Sequence, residues 1–372
     1  MRIGIIADPI DNQNAGVHVY TLEMILALVA NDRVNEYIII RQKAGNEIKK
    51  EYTNVKEIVV SNIALPIGYA YFRLFFIIPY IFRKEKVDMV IEPAHFGPFN
   101  LPRHIRRITI IHDLSAVLFP EWHRWHSGIL QKLFLPRILK KSDYILTNSY
   151  TTEKELHRFY PFTKTKTWMI YPGIKKLVAV AQENELTEKY QLSTQDYFLF
   201  VGTLEPRKNL ALLLDAFETY KATTKDQTQL IIAGGKGWKN EVFEQRLAQH
   251  PNKNEIVITG YISNEELSFL YRHAVALIYP SQYEGFGFPV IEAMSVGTAV
   301  ITTADTSMDE ISKPLALTFI NNDPLDLSKK MLQIKELNTN SLDQKKREDF
   351  TIKYDWNSFA KALLTKLSGV LE

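Results

Sequence analysis

Cysteine is absent from the 372 residues. Its absence excludes disulfides, thiolate metal sites, a cysteine nucleophile and thiol redox chemistry, and it fits a reducing compartment. No Asp-x-Asp pair occurs, and the nine histidines lack metal-ligand spacing. His123 and His126, beside Trp122 and Trp125, could share a helix face but have no nearby carboxylate, so no metal is expected. There is no basic helix or zinc-finger spacing, so nucleic acid is not an expected partner. Long apolar runs are also scarce. The opening Met1–Asp8 run is too short for a signal peptide or an anchor and reads as a buried strand. Ile63–Phe82 is mostly apolar but contains Pro66, Arg73 and Pro79 and runs into Arg83-Lys84-Glu85-Lys86, which argues against a transmembrane helix. It reads either as a buried helix leading into a strand at Asp88–Ile91, or as an aromatic and basic surface touching a membrane.

What is present is ordinary globular material: 46% hydrophobic and 23% charged residues, with 16 Gly and 16 Pro. At about 100 to 200 residues per domain the length implies two domains. The net charge of +3 conceals an asymmetry. Residues 1–175 hold 24 Lys and Arg against 16 Asp and Glu, a net +8; the remainder holds 21 against 26, a net −5. The basic half suits an anionic lipid or a phosphorylated substrate.

Short apolar runs alternate with amphipathic stretches, the pattern of parallel sheets with helical crossovers. Seven strands are expected before residue 171, at Ile3–Ala7, Tyr37–Arg41, Val55–Val60, Asp88–Ile91, Arg107–Ile111, Tyr144–Thr147 and Thr167–Ile170. Tyr171-Pro172-Gly173 then breaks the pattern, and a linker is placed within residues 171–196. Six more strands are expected, at Tyr197–Gly202, Gln229–Ala233, Ile256–Thr259, Val275–Tyr279, Thr298–Thr302 and Leu315–Phe319. Asn209 is expected to cap a helix over Leu210–Tyr220, and Ser263 with Glu266 forms a capping box. Pro289 stands in a first turn with Gly297 past that helix's end, and Asp355 caps a C-terminal amphipathic helix. The fold class is therefore α/β: two tandem Rossmann-like doubly wound domains facing a central cleft, where such sheets bind ligands. Residues 1–175 form the first domain and 176–355 the second.

Two strand-to-helix turns carry the chemistry. In Ser281–Met294, free N–H groups around Gly287 and Phe288 and the helix dipole make an anion site, and the glycines admit a ligand to the main chain. Glu284 lies before this loop and Glu292 about one turn into the helix, suited to sugar and ribose hydroxyls; otherwise Glu292 is a helix-dipole carboxylate and the glycines form turns. In Val201–Asn209, Arg207 and Lys208 stand at a helix N-terminus, where like charge is disfavoured unless an anion such as a diphosphate offsets it; otherwise they are solvated loop cations. His112 ends a first-half strand at the carboxyl edge of the sheet, either meeting substrate hydroxyls or bonding Asp113 or a loop carbonyl. Asp113 reads as structural.

These segments resemble the retaining family 4 glycosyltransferases of the GT-B fold, among them bacterial mannosyl- and rhamnosyltransferases of polysaccharide assembly. The resemblance covers nearly the whole chain and rests most on Glu284 to Glu292, an E-x7-E spacing in an E-G-F-G-x-P context, then on Val201–Asn209, Ile231–Gly235 and Ile111-His112-Asp113. It implies catalytic roles for His112, Glu284, Arg207 and Lys208. Arg207 and Lys208 hold the donor diphosphate, with Gly202 and Thr203 in their turn; Glu284 and the Phe286-Gly287-Phe288 backbone hold the sugar; Glu292 binds the ribose. Main chain near Gly234, Tyr261 and Ile262 frames the base, and His112 lies beside the reacting sugar. Gly16 alone represents the paired glycines common after the family's first strand. The C-terminal helix, 356–372, is implied to cross back to the first domain, against the reading of a peripheral helix on the second.

The expected activity is transfer of a sugar, best matched by mannose from GDP-mannose, to a glycan or lipid-linked acceptor hydroxyl, with retention and without a cofactor or metal. Its expected place is the cytoplasm, at the inner face of the membrane and in peripheral contact with it through the basic domain. The alternatives are a GT-B epimerase-like enzyme or a non-catalytic partner subunit of a glycosyltransferase.

Overall fold

The computed structural model describes the chain except residues 13–14, 49–51, 62–68, 95–96, 99, 123–124, 178–182, 191, 193–195, 338–340 and 371–372, and only the backbone of 12, 15, 70, 125–132, 183–184 and 341–342. His123, and the side chain of His126, thus lie outside the described residues, as do part of the Ile63–Phe82 run and part of the expected linker.

The chain divides into two units, Met1–Gly173 with Tyr354–Glu372, and Ile174–Lys353. The first sheet has seven strands: β1 (Arg2–Ile6), β2 (Glu36–Arg41), β3 (Val55–Val59), β4 (Met89–Glu92), β5 (Arg106–Ile111), β6 (Tyr144–Thr147) and β7 (Thr167–Met169). The second has six: β8 (Tyr197–Val201), β9 (Gln229–Ala233), β10 (Ile256–Gly260), β11 (Ala276–Tyr279), β12 (Ala299–Thr303) and β13 (Leu317–Phe319). Every expected strand is therefore found, with bounds shifted by at most two residues. Parallel strands are covered by helices on both faces, so they read as unbroken apolar runs rather than alternating ones. Ile3, Ile5, Phe198, Leu199 and Phe200 are fully buried accordingly.

The sheet orders are β3-β2-β1-β4-β5-β6-β7 and β10-β9-β8-β11-β12-β13, with parallel pairing throughout. Each order reverses direction once, between β1 and β4 and between β8 and β11. At such a switch point the loops leaving two neighbouring strands diverge to opposite faces and open a crevice at their carboxyl ends.

The helix Trp356–Ser368 belongs to the first unit. Asp355 caps it by accepting from the Ser358 amide at 2.9 Å. Its buried face, Trp356, Phe359, Ala360, Leu363 and Leu367, packs on the helix Ala15–Asn31, where the fully buried Tyr20 ring meets Trp356 and Phe359 edge-on at 5.2 and 5.8 Å.

Of the two readings of the Ile63–Phe82 run, the wholly buried helix is corrected over its described part. The segment Tyr69–Lys84 is helical, with a π turn at Arg73–Ile77, but it is only half buried. Ile78 and Phe82 enter the core, and buried Arg73 pairs with Asp8 beyond β1. Tyr71, Phe72, Phe76 and Tyr80 remain exposed on the other side. Apolar composition alone predicts burial all round; the Arg73 anchor turns one face inward and leaves the aromatic one outside. Among the described residues no helix is long and apolar enough to cross a membrane.

Candidate functional site

The switch point of the second sheet sets two loops side by side. From β8 the chain passes Gly202 and Thr203 into a 3-10 turn, Pro206–Lys208, and then the helix Leu210–Thr224. Asn209 does not cap that helix through its side chain. It takes a left-handed conformation, φ 55°, which asparagine tolerates, and its amide donates to Asn322 Oδ1 at 3.1 Å. From the neighbouring β11 the chain passes Glu284 to Gly287, then the helix Phe288–Ser295 with Pro289 in its first turn. Gly287 has φ +99°, and a Cβ there would stand 2.8 Å from Met308 Cγ, so this tight entry requires glycine. The Gln282 amide donates to the Arg207 carbonyl at 2.9 Å and ties the loops together.

Across this junction Glu284 meets both cations. Its Oε1 accepts from Lys208 Nζ at 2.5 Å and its Oε2 accepts from Arg207. Arg207 Nε lies 2.5 Å from Glu205, and Lys208 also donates to the Tyr279 hydroxyl at the end of β11. Side-chain exposure is 6% for Lys208, 10% for Glu284 and 5% for Glu205, while Arg207 keeps 25%. Burial alone would raise the Glu284 carboxyl, but Arg207 and Lys208 outweigh it and hold it at about 2. Burial draws the Lys208 ammonium down, against the pull of Glu284.

In the structure each of the two cations has a carboxylate partner. Glu205 and Glu284 already neutralise them, which explains how like charges tolerate burial at a helix entry. A phosphate ligand would therefore have to compete with carboxylates for the same donors.

Most of the remaining residues expected to contact the donor lie elsewhere in the second unit. Gly234, at the end of β9, approaches the β8 turn so closely that a Cβ would stand 2.0 Å from the Gly202 carbonyl oxygen. Thr203 is partly exposed beside it. Tyr261 and Ile262 follow β10, two strands from β8; Tyr261 is 92% exposed and Ile262 partly buried. Phe286 is buried against the Phe288 ring, with centroids 5.0 Å apart. Glu292 stands apart from the ion cluster. Its Oε2 accepts from buried Tyr271 at 3.1 Å, and burial pushes its carboxyl up.

His112 and Gly16 are in the first unit. His112 Nε2 is 2.6 Å from the Pro93 carbonyl, which makes Nε2 the protonated nitrogen and leaves Nδ1 as an acceptor. Burial lowers its pKa, favouring this neutral form. Asp113 turns away to accept from the Ser115 amide and hydroxyl, a structural role. Gly16 is exposed in the first turn of its helix, with nothing within 4 Å of a Cβ placed there. Among the described residues no group of three or more His, Asp or Glu side chains could hold a metal ion.

Comparison with known proteins agrees with this layout. The model for "Glycosyltransferase Family 4" matches residues 14–176, and that for "Glycosyl transferases group 1" matches 182–353. The chain belongs to the family 4 glycosyltransferases. It is 34% identical over 244 residues to O-antigen chain mannosyltransferase B of Escherichia coli, covering 64% of each chain. It is 30% identical over 224 residues to the O-antigen chain mannosyltransferase RfbU of Salmonella typhimurium, covering 59% of this chain and 58% of that one. The matches thus take in somewhat less than two thirds of these relatives' length. In fold the chain resembles sucrose-phosphate synthase of Thermosynechococcus elongatus, with TM-score 0.78, 18% identity and coverage of 100% and 99%. It also resembles Anabaena HepE in complex with UDP-glucose, with TM-score 0.77, 14% identity and coverage of 99% and 100%. The architecture is GT-B.

In this family 4 glycosyltransferase, sequence reasoning did not single out Glu205, Tyr279 or Tyr271 as site residues. Glu205 was detectable as the acid before Pro206-Arg207-Lys208. Tyr279 and Tyr271 looked like core aromatics, which they also are; only the fold aims their hydroxyls at Lys208 and Glu292.

A carboxyl whose folded pKa lies below its unfolded value stabilises the fold above the unfolded pKa and loses that contribution as pH falls through the folded one. For Glu284 the window runs from an ordinary 4.5 down to about 2. Glu284→Gln is therefore expected to flatten the acid loss of stability in that window by on the order of 3 kcal/mol relative to wild type, measured by urea unfolding as a function of pH. Parallel profiles for the two proteins would contradict it.

Proposed function

We propose that the chain is a retaining, metal-independent glycosyltransferase that moves mannose from GDP-mannose to a hydroxyl of a glycan or lipid-linked acceptor during cell-surface polysaccharide assembly. The buried Glu284–Arg207–Lys208 cluster at a sheet switch point carries this reading. The O-antigen mannosyltransferase names of two relatives support the sugar and the acceptor class.

In this reading Arg207 and Lys208 bind the donor diphosphate. As the glycosidic C–O bond breaks, its electron pair stays on the leaving phosphate, and the two cations stabilise the growing charge without reorganising. The acceptor hydroxyl attacks from the same face and passes its proton to a leaving-phosphate oxygen. Glu284 orients sugar hydroxyls, accepting from them on the lone pairs that its contacts with Arg207 and Lys208 leave open. Glu292, fixed by Tyr271, takes ribose hydroxyls, while Gly202, Thr203, Gly234, Tyr261 and Ile262 frame the nucleotide and Phe286-Gly287-Phe288 the sugar. Neutral His112 accepts a sugar hydroxyl through Nδ1, and Gly16 is a first-unit substrate contact.

A thermal-shift panel of GDP, UDP, ADP and dTDP tests the donor class. At a hundredfold its dissociation constant, the matching nucleotide should stabilise by about 2.7 kcal/mol. GDP should give the largest shift, Lys208→Ala should abolish it, and mannosyl transfer should survive EDTA. A flat panel, or a Lys208→Ala protein with unchanged affinity and turnover, would overturn the assignment.

We further propose peripheral attachment at the cytoplasmic face of the membrane. Exposed Tyr71, Phe72, Phe76 and Tyr80 form an aromatic side, with exposed Arg83, Lys84 and Lys86 at its end, a combination suited to the interface of an anionic bilayer. The protein should co-sediment with phosphatidylglycerol vesicles, and Phe72→Ser, Phe76→Ser and Tyr80→Ser together should reduce binding at least about tenfold, the loss expected from removing three interfacial aromatics. Unaltered sedimentation of the triple variant would dismiss this surface.

A further inference from the structure

Two carboxylates face two cations in the switch-point loops, and none of the four side chains is more than a quarter exposed. Three elements pack here: the β8 turn contributes Glu205, Arg207 and Lys208, the β11 loop Glu284, and β11 itself the Tyr279 hydroxyl, 3.4 Å from Glu284 Oε1. Ser307 fixes the loop by donating to the Glu284 carbonyl at 2.7 Å. The cluster therefore carries no surplus positive charge. A bare pair of cations binds the most highly charged phosphate tightest. A pair already matched by carboxylates does not, because each further negative charge on the ligand meets those carboxylates at short range, where solvent screening is weak.

We infer that Glu284, backed by Glu205, makes this site select the intact sugar nucleotide over the spent nucleotide. The inference rests on the diphosphate reading proposed above. The diphosphate of an intact donor carries about two negative charges. The released nucleoside diphosphate carries nearly three at neutral pH, because its terminal phosphate has a second ionisation near pH 6, as phosphate monoesters do. In the intact donor the sugar lies beside Glu284, and its hydroxyls donate to the carboxylate. After transfer, once the proton taken from the acceptor hydroxyl is lost to solvent, the same carboxylate faces a phosphate dianion. One side chain thus favours the donor while it is whole and disfavours the product, a useful property where product release limits turnover.

Calorimetric titration of the full chain tests this with GDP and GDP-mannose, and with UDP and UDP-glucose as the second pair. In the wild-type protein, lowering the pH from about 8 to about 5.5 protonates the terminal phosphate of the free nucleotide and leaves Glu284 ionised. The nucleoside diphosphate should then tighten relative to its sugar nucleotide by roughly threefold or more, whereas a bare cation site gives the opposite trend. In Glu284→Gln the ratio of the nucleoside diphosphate dissociation constant to that of the sugar nucleotide should fall by about tenfold, and in Glu205→Gln by less, since each removes one competing charge. An unchanged ratio in both variants, or a wild-type nucleoside diphosphate that weakens relative to its sugar nucleotide on acidification, overturns the inference while leaving the donor reading standing. If no nucleotide binds the wild-type protein, the donor reading falls and the inference with it. Should a variant fail to fold, the wild-type pH series decides alone.

Discussion

The chemistry proposed for this chain depends on a buried ion cluster that joins two loops more than seventy positions apart in sequence. Arg207 and Lys208 leave β8, Glu284 leaves β11, and the side chains converge because those strands flank the point where the sheet order reverses. Burying charges is costly, and stripping one partner from such a pair typically costs about 3 to 5 kcal/mol. The arrangement is therefore weak evidence for stability and better evidence for a site, because an apolar filling would hold the loops as well without the desolvation cost. The backbone tie between Gln282 and Arg207, and the Ser307 bond to the Glu284 carbonyl, hold the loops in register around it.

The same cluster relates composition to chemistry. The second half of the chain is acidic, yet it places two cations where a diphosphate is proposed to bind, and the acids nearest them are used as counter-ions. A site that is neutral when empty discriminates by the charge of what enters it. A strongly cationic one would hold any phosphate.

Much of the fold was readable from sequence because the inner parallel strands, buried on both faces, appear as short unbroken apolar runs; edge strands such as β3, Val55-Lys56-Glu57-Ile58-Val59, are more exposed and were marked by their spacing in the alternation instead. The Ser263 capping box and the Asp355 cap were legible for the same local reason: a side chain bonding an amide three residues on needs no tertiary information. The misreadings were tertiary. Asn209 looked like a cap, but the 3-10 turn before it demands a left-handed residue. The aromatic segment read either as a buried helix or as an exposed surface, and sequence did not show that one face is buried with Arg73 while the other is exposed. For the site, Arg207, Lys208 and Glu284 were each visible as chemistry-bearing residues on strand-to-helix turns. Their mutual pairing was not, nor were Glu205 and Tyr279 as members, since no local pattern reports which loops a switch point sets side by side.

The most direct test of this account is a crystal structure of the full chain with GDP-mannose bound. The account predicts diphosphate oxygens within hydrogen-bond distance of Lys208 Nζ and the Arg207 guanidinium, with Glu284 drawn off at least one cation and onto sugar hydroxyls. A diphosphate bound elsewhere, with Glu284 still pairing both cations, would contradict it.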